Sequence, residues 1–162
     1  HSTTSALTSM INEVFSRPEL PELLRREPDK IEIAIEETLR LRPPFFGFYR
    51  RTTKPVEIAG VAMEPGQDVY VGWAAANRDP AMFSCPVDFR LDRESYRHFS
   101  FGFGIHICPG APLARMEMRV VLEELLGTLP DLRVEGPVPD YKFGGGDYAY
   151  MPELQVSFTP VE

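Results

Sequence analysis

One stretch of the chain gathers the residues able to do chemistry: Phe99-Ser100-Phe101-Gly102-Phe103-Gly104-Ile105-His106-Ile107-Cys108-Pro109-Gly110. Cys108 stands just before a strongly helical run, Ala111 to Leu129, where the helix dipole and free backbone N–H groups favour a thiolate over a thiol. Gly102 and Gly104 let backbone pass close to something bulky and flat, with no Cβ in the way. Pro109 and Gly110 force the turn that presents the sulfur, and the surrounding phenylalanines and isoleucines, Phe101 among them, keep water away. A thiolate held in an apolar, tightly turned loop is what a haem iron needs as its axial ligand. Other chemistries fit less well. A dinucleotide-binding Gly-x-Gly-x-x-Gly loop fails because Ile107 holds the place of the third glycine. A zinc site needs further ligands, and only Cys85, His98 and His1 are on offer. An inert buried cysteine in a glycine loop is the remaining alternative.

Several elements must position this loop. Residues 1–16 read as the end of a helix, with Leu7, Met10, Ile11, Val14 and Phe15 at helical spacing. A short helix follows between Pro18 and Pro28, over Glu19–Glu27. Asp29 then caps a helix spanning 29–42, with Ile31, Ala34, Ile35 and Leu39 on one face. Glu37 and Arg40 lie three apart on it, so they share a face and can pair. Phe45 to Tyr49 reads as a strand edge, and the 45–73 region as β structure. Within it, Val56–Met63, a Pro65-Gly66 turn and Asp68–Trp73 alternate as a hairpin. After the loop, Leu113, Val120, Val121, Leu125 and Leu126 give the helix an apolar face, and Arg115 and Arg119 share its opposite side. Leu132–Val134 and Leu154–Phe158 are strand-like runs in the tail, 131–162. The fold class expected is mainly α with small β-sheets.

Composition narrows the function. Seventeen Lys and Arg against 24 Asp and Glu give a net charge of −7, which argues against a nucleic-acid footprint. No run of apolar residues is long enough to span a membrane. Two cysteines in 162 residues make no disulfide framework, so a reducing cytoplasm is the expected compartment. The chain opens on His1-Ser2-Thr3-Thr4 without an initiator methionine, and is expected to be part of a longer sequence.

The pattern Phe-Gly-x-Gly-x-His-x-Cys-x-Gly at 101–110 resembles the haem-binding loop of the cytochrome P-450 family. Glu37-x-x-Arg40 followed by Pro43-Pro44 resembles that family's second motif. The resemblance covers nearly the whole chain, as the C-terminal part of a soluble, bacterial-type member. It implies a haem-thiolate monooxygenase that inserts one atom of O2 into a small apolar organic substrate. Haem b would be ligated by Cys108, with His106 and Arg50 (or its neighbour Arg51) pairing the propionates, and Phe101 and Gly102 lining the cofactor. Ser2 and Thr3 match the distal-helix position whose alcohol helps protonate bound dioxygen, although Ser2 stands where an acid is usual. Glu37 and Arg40 would form a buried structural pair behind the loop. Many members complete that pair with an arginine in the 77–98 meander, where this sequence carries Asp88 before Phe89, so the triad must be relaxed or completed from elsewhere. Phe45, Phe46 and Tyr148 are expected at the substrate pocket, with the glycine-rich turn Gly144–Asp147 projecting into it. Phe48 and Tyr49 read as ordinary core packing, Cys85 as structurally neutral and His98 as a surface histidine. A ferredoxin-type or flavin electron donor would dock near Arg115 and Arg119. The resemblance also admits an H2O2-driven peroxygenase on the same scaffold, or a non-enzymatic haem-thiolate sensor.

Overall fold

Apolar residues four apart place three helices against one another. On α1 (Ser2–Phe15) these are Ala6, Met10 and Val14, and on α5 (Ala111–Thr128) they are Met118, Leu122 and Leu126. On α3 (Lys30–Leu41) the stripe runs through Ile31, Ala34, Ile35 and Leu39. Each set lies on one helical face. In the computed structural model, which describes residues 1–137, 140–144 and 147–160, these stripes meet in a single core that also takes Leu20 and Leu24 of α2 (Glu19–Arg26). The face α5 buries therefore runs through Ala111, Met118, Leu122 and Leu126, while Leu113 and Val120, expected inside, are 54% and 52% exposed.

Pro18 precedes α2, and Pro43 and Pro44 follow α3, where the missing N–H and fixed φ of proline keep helix from continuing. Asp29 occupies the residue before α3 without a side-chain capping bond. The first N–H groups of that helix bond back to the Glu27 and Pro28 carbonyls instead.

The β structure is small and antiparallel. β1 (Gly47–Arg51) pairs with β4 (Asp68–Gly72), in register from Gly47 opposite Gly72 to Arg51 opposite Asp68. The expected hairpin between Val56–Met63 and Asp68–Trp73 does not form. Val56–Met63 folds on itself as β2 (Val56–Ile58) and β3 (Val61–Met63), because Ala59 and Gly60 adopt φ of 49° and 79° and close a two-residue turn. Two successive positive φ values match the twist of the flanking strands. The short helix α4 (Trp73–Ala76) follows β4 directly. In the tail, β5 (Arg133–Val134) pairs with β8 (Val156–Ser157), and β6 (Lys142–Phe143) with β7 (Ala149–Tyr150). The architecture is mainly helical with small sheets. No helix among the described residues is long and apolar enough to cross a membrane.

Candidate functional site

The loop between α4 and α5 is wound on itself by backbone bonds. The Gly102 N–H donates to the Phe99 carbonyl at 2.8 Å, and Ile107 donates to Gly104 across a single 3-10 turn, Gly104–His106. The Cys108 N–H donates to the Phe101 carbonyl at 2.8 Å, and Ala111, the first residue of α5, donates back to the Cys108 carbonyl. Gly102 has φ +73°, and a Cβ there would meet the His106 carbonyl oxygen at 3.1 Å. Only glycine fits that position. Cys108 is a free, exposed thiol at the head of α5.

Cys108 opens onto a cavity of about 350 Å³. His106 and Phe101 share its loop wall, and Phe45, Phe48 and Trp73 form another. Ser2 and Thr3, at the start of α1, line it as well. One space thus joins residues more than a hundred positions apart. Phe48 belongs to this wall rather than to the core, with its ring edge-on to Trp73 at 4.9 Å. Phe46 and Tyr148 do not line the cavity. The Phe46 backbone bridges Asp147 and Ala74, which sends its ring edge-on to Phe143. Tyr148 lies behind Phe45, with ring centroids 5.5 Å apart, and its hydroxyl donates to the His1 carbonyl. Of the glycine-rich turn, Gly145 and Gly146 lie outside the described residues. A neighbouring hollow of about 300 Å³ is lined by Arg50, His106, Phe99, Phe103 and Trp73. Arg51 is committed elsewhere, in an exposed two-pronged pair with Asp68 at 2.8 and 3.0 Å.

Behind the loop lies a buried knot of charge. Glu37 and Arg40, both fully buried, are joined by two hydrogen bonds of 2.7 and 2.8 Å. The third place of the triad, which Asp88 could not fill, is taken from elsewhere by Arg93, whose Nε donates to Glu37 Oε1 at 2.8 Å. Asp88 contributes only its backbone carbonyl, which accepts from both Arg40 and Arg93. The Arg90 N–H adds a fourth donor to Glu37 at 3.0 Å. Burial pushes the Glu37 carboxyl up, but Arg40, Arg93 and the Arg90 N–H outweigh it and hold it below the usual carboxylate range. Arg40 also donates to the carbonyl of the fully buried Asn77 at 2.8 Å. The Asn77 side chain accepts the Phe99 N–H and donates to Ser100 Oγ, which in turn donates to the Leu39 carbonyl at 2.6 Å. An unbroken polar path therefore runs from the knot to the base of the cysteine loop. Asn77 and Ser100 escaped the sequence reading, for which the only signal was polar residues flanking apolar ones in a loop.

Comparison with known proteins settles the family. The family model described as Cytochrome P-450 matches residues 1–130. This chain belongs to the cytochrome P-450 family. It is 43% identical over 126 residues to cytochrome P-450 144 of Mycobacterium tuberculosis, covering 77% of this chain and 29% of that protein. It is 38% identical over 160 residues to the nocardicin C N-oxygenase of Nocardia uniformis, covering 97% of this chain and 40% of that one. A substrate-free Mycobacterium marinum cytochrome P-450 superposes with a TM-score of 0.92 at 34% identity, over 99% of this chain and 42% of that structure. The chain thus spans well under half the length of each.

P-450 membership implies a haem, and the residues present suit one. The thiol faces an apolar cavity, and the loop presents bare apolar surface at Ile105, Phe103 and Ile107, exposed by 96%, 71% and 59%. Gly102, expected against the cofactor, does not line that cavity and instead lets the loop close on the His106 carbonyl. On the α5 side, the two arginines expected to form a basic patch are both paired. Arg115 binds Glu36 through two bonds of 2.6 and 2.9 Å, and Arg119 bridges Glu32 and Glu123. His98 is not a surface residue: its side chain is 2% exposed, with Nε2 3.3 Å from Glu36 Oε2. The sequence hid this because the acid partner lies on a different helix, far upstream.

Proposed function

We propose that the protein is a haem-thiolate monooxygenase of the P-450 family, acting on a small apolar organic substrate with O2 and electrons from a donor protein. The observation that carries the reading is the shared cavity, walled by Cys108 and His106 on the loop and reached by Ser2 and Thr3 from α1. Haem b, when bound, would supply the oxygen activation and the electron transfer, with thiolate ligation promoting O–O cleavage.

The chain's own residues have the remaining tasks. Cys108 would hold the haem iron through its sulfur, on a loop fixed by the Phe101–Cys108 backbone bond at the cavity wall. His106 and Arg50, which border the adjoining hollow together, would take the propionates, Arg50 with the planar fork that suits a carboxylate. Arg51, engaged by Asp68, is left out of that role. Thr3, with Ser2 beside it, would hold a proton at its hydroxyl at the cavity wall, a short relay that keeps bulk water out. Phe45, Phe48 and Trp73 would exclude water and press an apolar substrate toward the reacting atoms. A ferredoxin-type or flavin donor would approach the α5 face near Arg115 and Arg119, both already held in ion pairs within the chain.

The test is the reduced, CO-bound absorption spectrum of the full-length protein beside its Cys108→Ser variant. A strongly red-shifted Soret band that the substitution abolishes is the expected result. A band at the ordinary histidine-haem position, or one indifferent to the substitution, removes Cys108 as ligand. In the same protein, Thr3→Ala is expected to divert O2 into peroxide at the expense of product, measured as peroxide released per electron pair consumed. Equal coupling in parent and variant would remove Thr3 from the relay.

A further inference from the structure

Glu36 is next to Glu37 in α3 and so leaves the helix in another direction, toward α5. Its carboxylate grips the Arg115 guanidinium through both oxygens at 2.6 and 2.9 Å. The held guanidinium covers the Phe101 ring, 4.5 Å from its centroid. The His98 ring approaches Phe101 as well, with centroids 6.0 Å apart. His98 Nδ1 accepts the N–H of Ser100 at 3.2 Å, which places the ring hydrogen on Nε2, the nitrogen facing Glu36. Phe101 is therefore contacted by both groups that gather at Glu36, and its carbonyl accepts the Cys108 N–H at 2.8 Å.

We propose that Glu36, Arg115 and His98 are positioning residues for the Cys108 sulfur, acting through Phe101. Glu36 fixes the plane of the guanidinium, the guanidinium fixes the phenyl ring, and the ring fixes the carbonyl that orients the cysteine backbone. His98, bonded through Nδ1 to the preceding residue, sets its Nε2 3.3 Å from the same carboxylate. Several facts favour this over a docking role for Arg115. Glu36 occupies the Nε–Nη2 edge of the guanidinium, the fork on which an incoming carboxylate would seat best, while one π face is spent on Phe101. Burial raises the Glu36 carboxyl, but the bonds from Arg115 and the nearby His98 overcome it and bring it down to about 2, so the acid stays charged and the clamp stays closed at neutral pH. The consequence at iron rests on the haem-thiolate reading. The positioning itself does not.

The test uses the full-length protein and its Glu36→Gln, Arg115→Ala and Arg115→Lys variants. In the haem-free form, alkylation by iodoacetamide is followed at Cys108 and at Cys85 by peptide mass; both are exposed free thiols, and Cys85 serves as the internal reference. Loss of the stacked cation is expected to change the Cys108-to-Cys85 rate ratio on the order of five-fold, the factor matching one cation–π contact. Arg115→Lys should recover part of it, and the Glu36→Gln/Arg115→Ala double variant should match Arg115→Ala alone. In the haem-loaded form, Soret intensity of the reduced CO complex should move from the red-shifted to the ordinary position in the same rank order. An unchanged ratio and spectrum, with only the KM for the electron donor raised, would make Arg115 a docking cation and overturn the proposal. So would a parallel rise at both cysteines, which is general loosening. A parent lacking the red-shifted band would sink the haem-thiolate reading, while the alkylation ratio would still decide the positioning.

Discussion

Replacing Arg93 by methionine isolates the unforeseen member of the buried knot. The side chain is 4% exposed and donates to Glu37 Oε1 at 2.8 Å, and to the Ser84, Cys85 and Asp88 carbonyls. Losing the partner of a wholly unpaired buried charge costs about 3–5 kcal/mol. Glu37 keeps Arg40 and the Arg90 N–H in this variant, so that figure is a ceiling. The bond to the carboxylate alone contributes about 1.5–3 kcal/mol, and the bonds to Ser84 and Cys85 lie at the surface, where water replaces them. The expected loss is therefore about 3 kcal/mol. Arg90→Met is the matched control. Its side chain pairs only with the exposed Asp92, and its contact with Glu37 is through the backbone, so a change within about 0.5 kcal/mol is expected. Urea unfolding of both variants at neutral pH, followed by circular dichroism, measures the difference. Equal losses, or a loss below about 1 kcal/mol for Arg93→Met, would refute the reasoning that Arg93 completes the hydrogen bonding of the buried Glu37 carboxylate.

Further expectations follow from the same geometry. The Glu36 carboxyl titrates near 2 when folded against an ordinary value of 4.5, so its stabilisation is complete above about pH 5 and is lost as pH falls toward 2. Urea titrations across that window should show a steeper acid loss in the parent than in Glu36→Gln; identical slopes would contradict the assignment. Gly102→Ala forces a side chain into φ +73° against the His106 carbonyl, whereas Gly104→Ala, at φ +65°, meets open space. Both are expected to lose about 1 kcal/mol for the backbone alone, with Gly102→Ala losing more and retaining less haem on a desalting column. Equal haem retention would mean that the contact with His106 carries no weight.

Local signals made much of this legible. Helical spacing of apolar residues marks α1 and α3, because a stripe that must be buried shows in the sequence whatever it packs on, and the bounding prolines mark α2. The cysteine loop shows because its glycines and its thiol have few other uses in that order. What stayed hidden depends on distance. Arg93 reaches Glu37 from a segment with no periodicity, and Asp88, nearer the expected place, offers only its carbonyl. His98 looks exposed until Glu36, on another helix, comes to lie beside it. Val56–Met63 reads as one strand because an alternating pattern says nothing of two positive φ values in its middle. On α5, Leu126 is buried and Val121 and Leu125 pack on the core as expected, but Met118 and Leu122 take the inside places expected of Leu113 and Val120, a choice only packing decides.

The knot around Glu37 also bears on the order in which the chain can assemble. Its partners come from α3, from Asn77 and from the stretch Pro86–Arg93, so closing it joins positions 37 to 56 residues apart. A half-built version leaves an ion in a dry interior with too few donors, which is worse than either leaving it in water or finishing the set. Assembly of these segments is accordingly all-or-none, and the cysteine loop, strung from Asn77 and Ser100, can take its final shape only in that same step. The β2–β3 hairpin has no such tie and can fray alone. Native-state hydrogen exchange would then divide the chain in two: one slow cooperative unit running from α3 through the loop to α5, and a hairpin that opens on its own schedule.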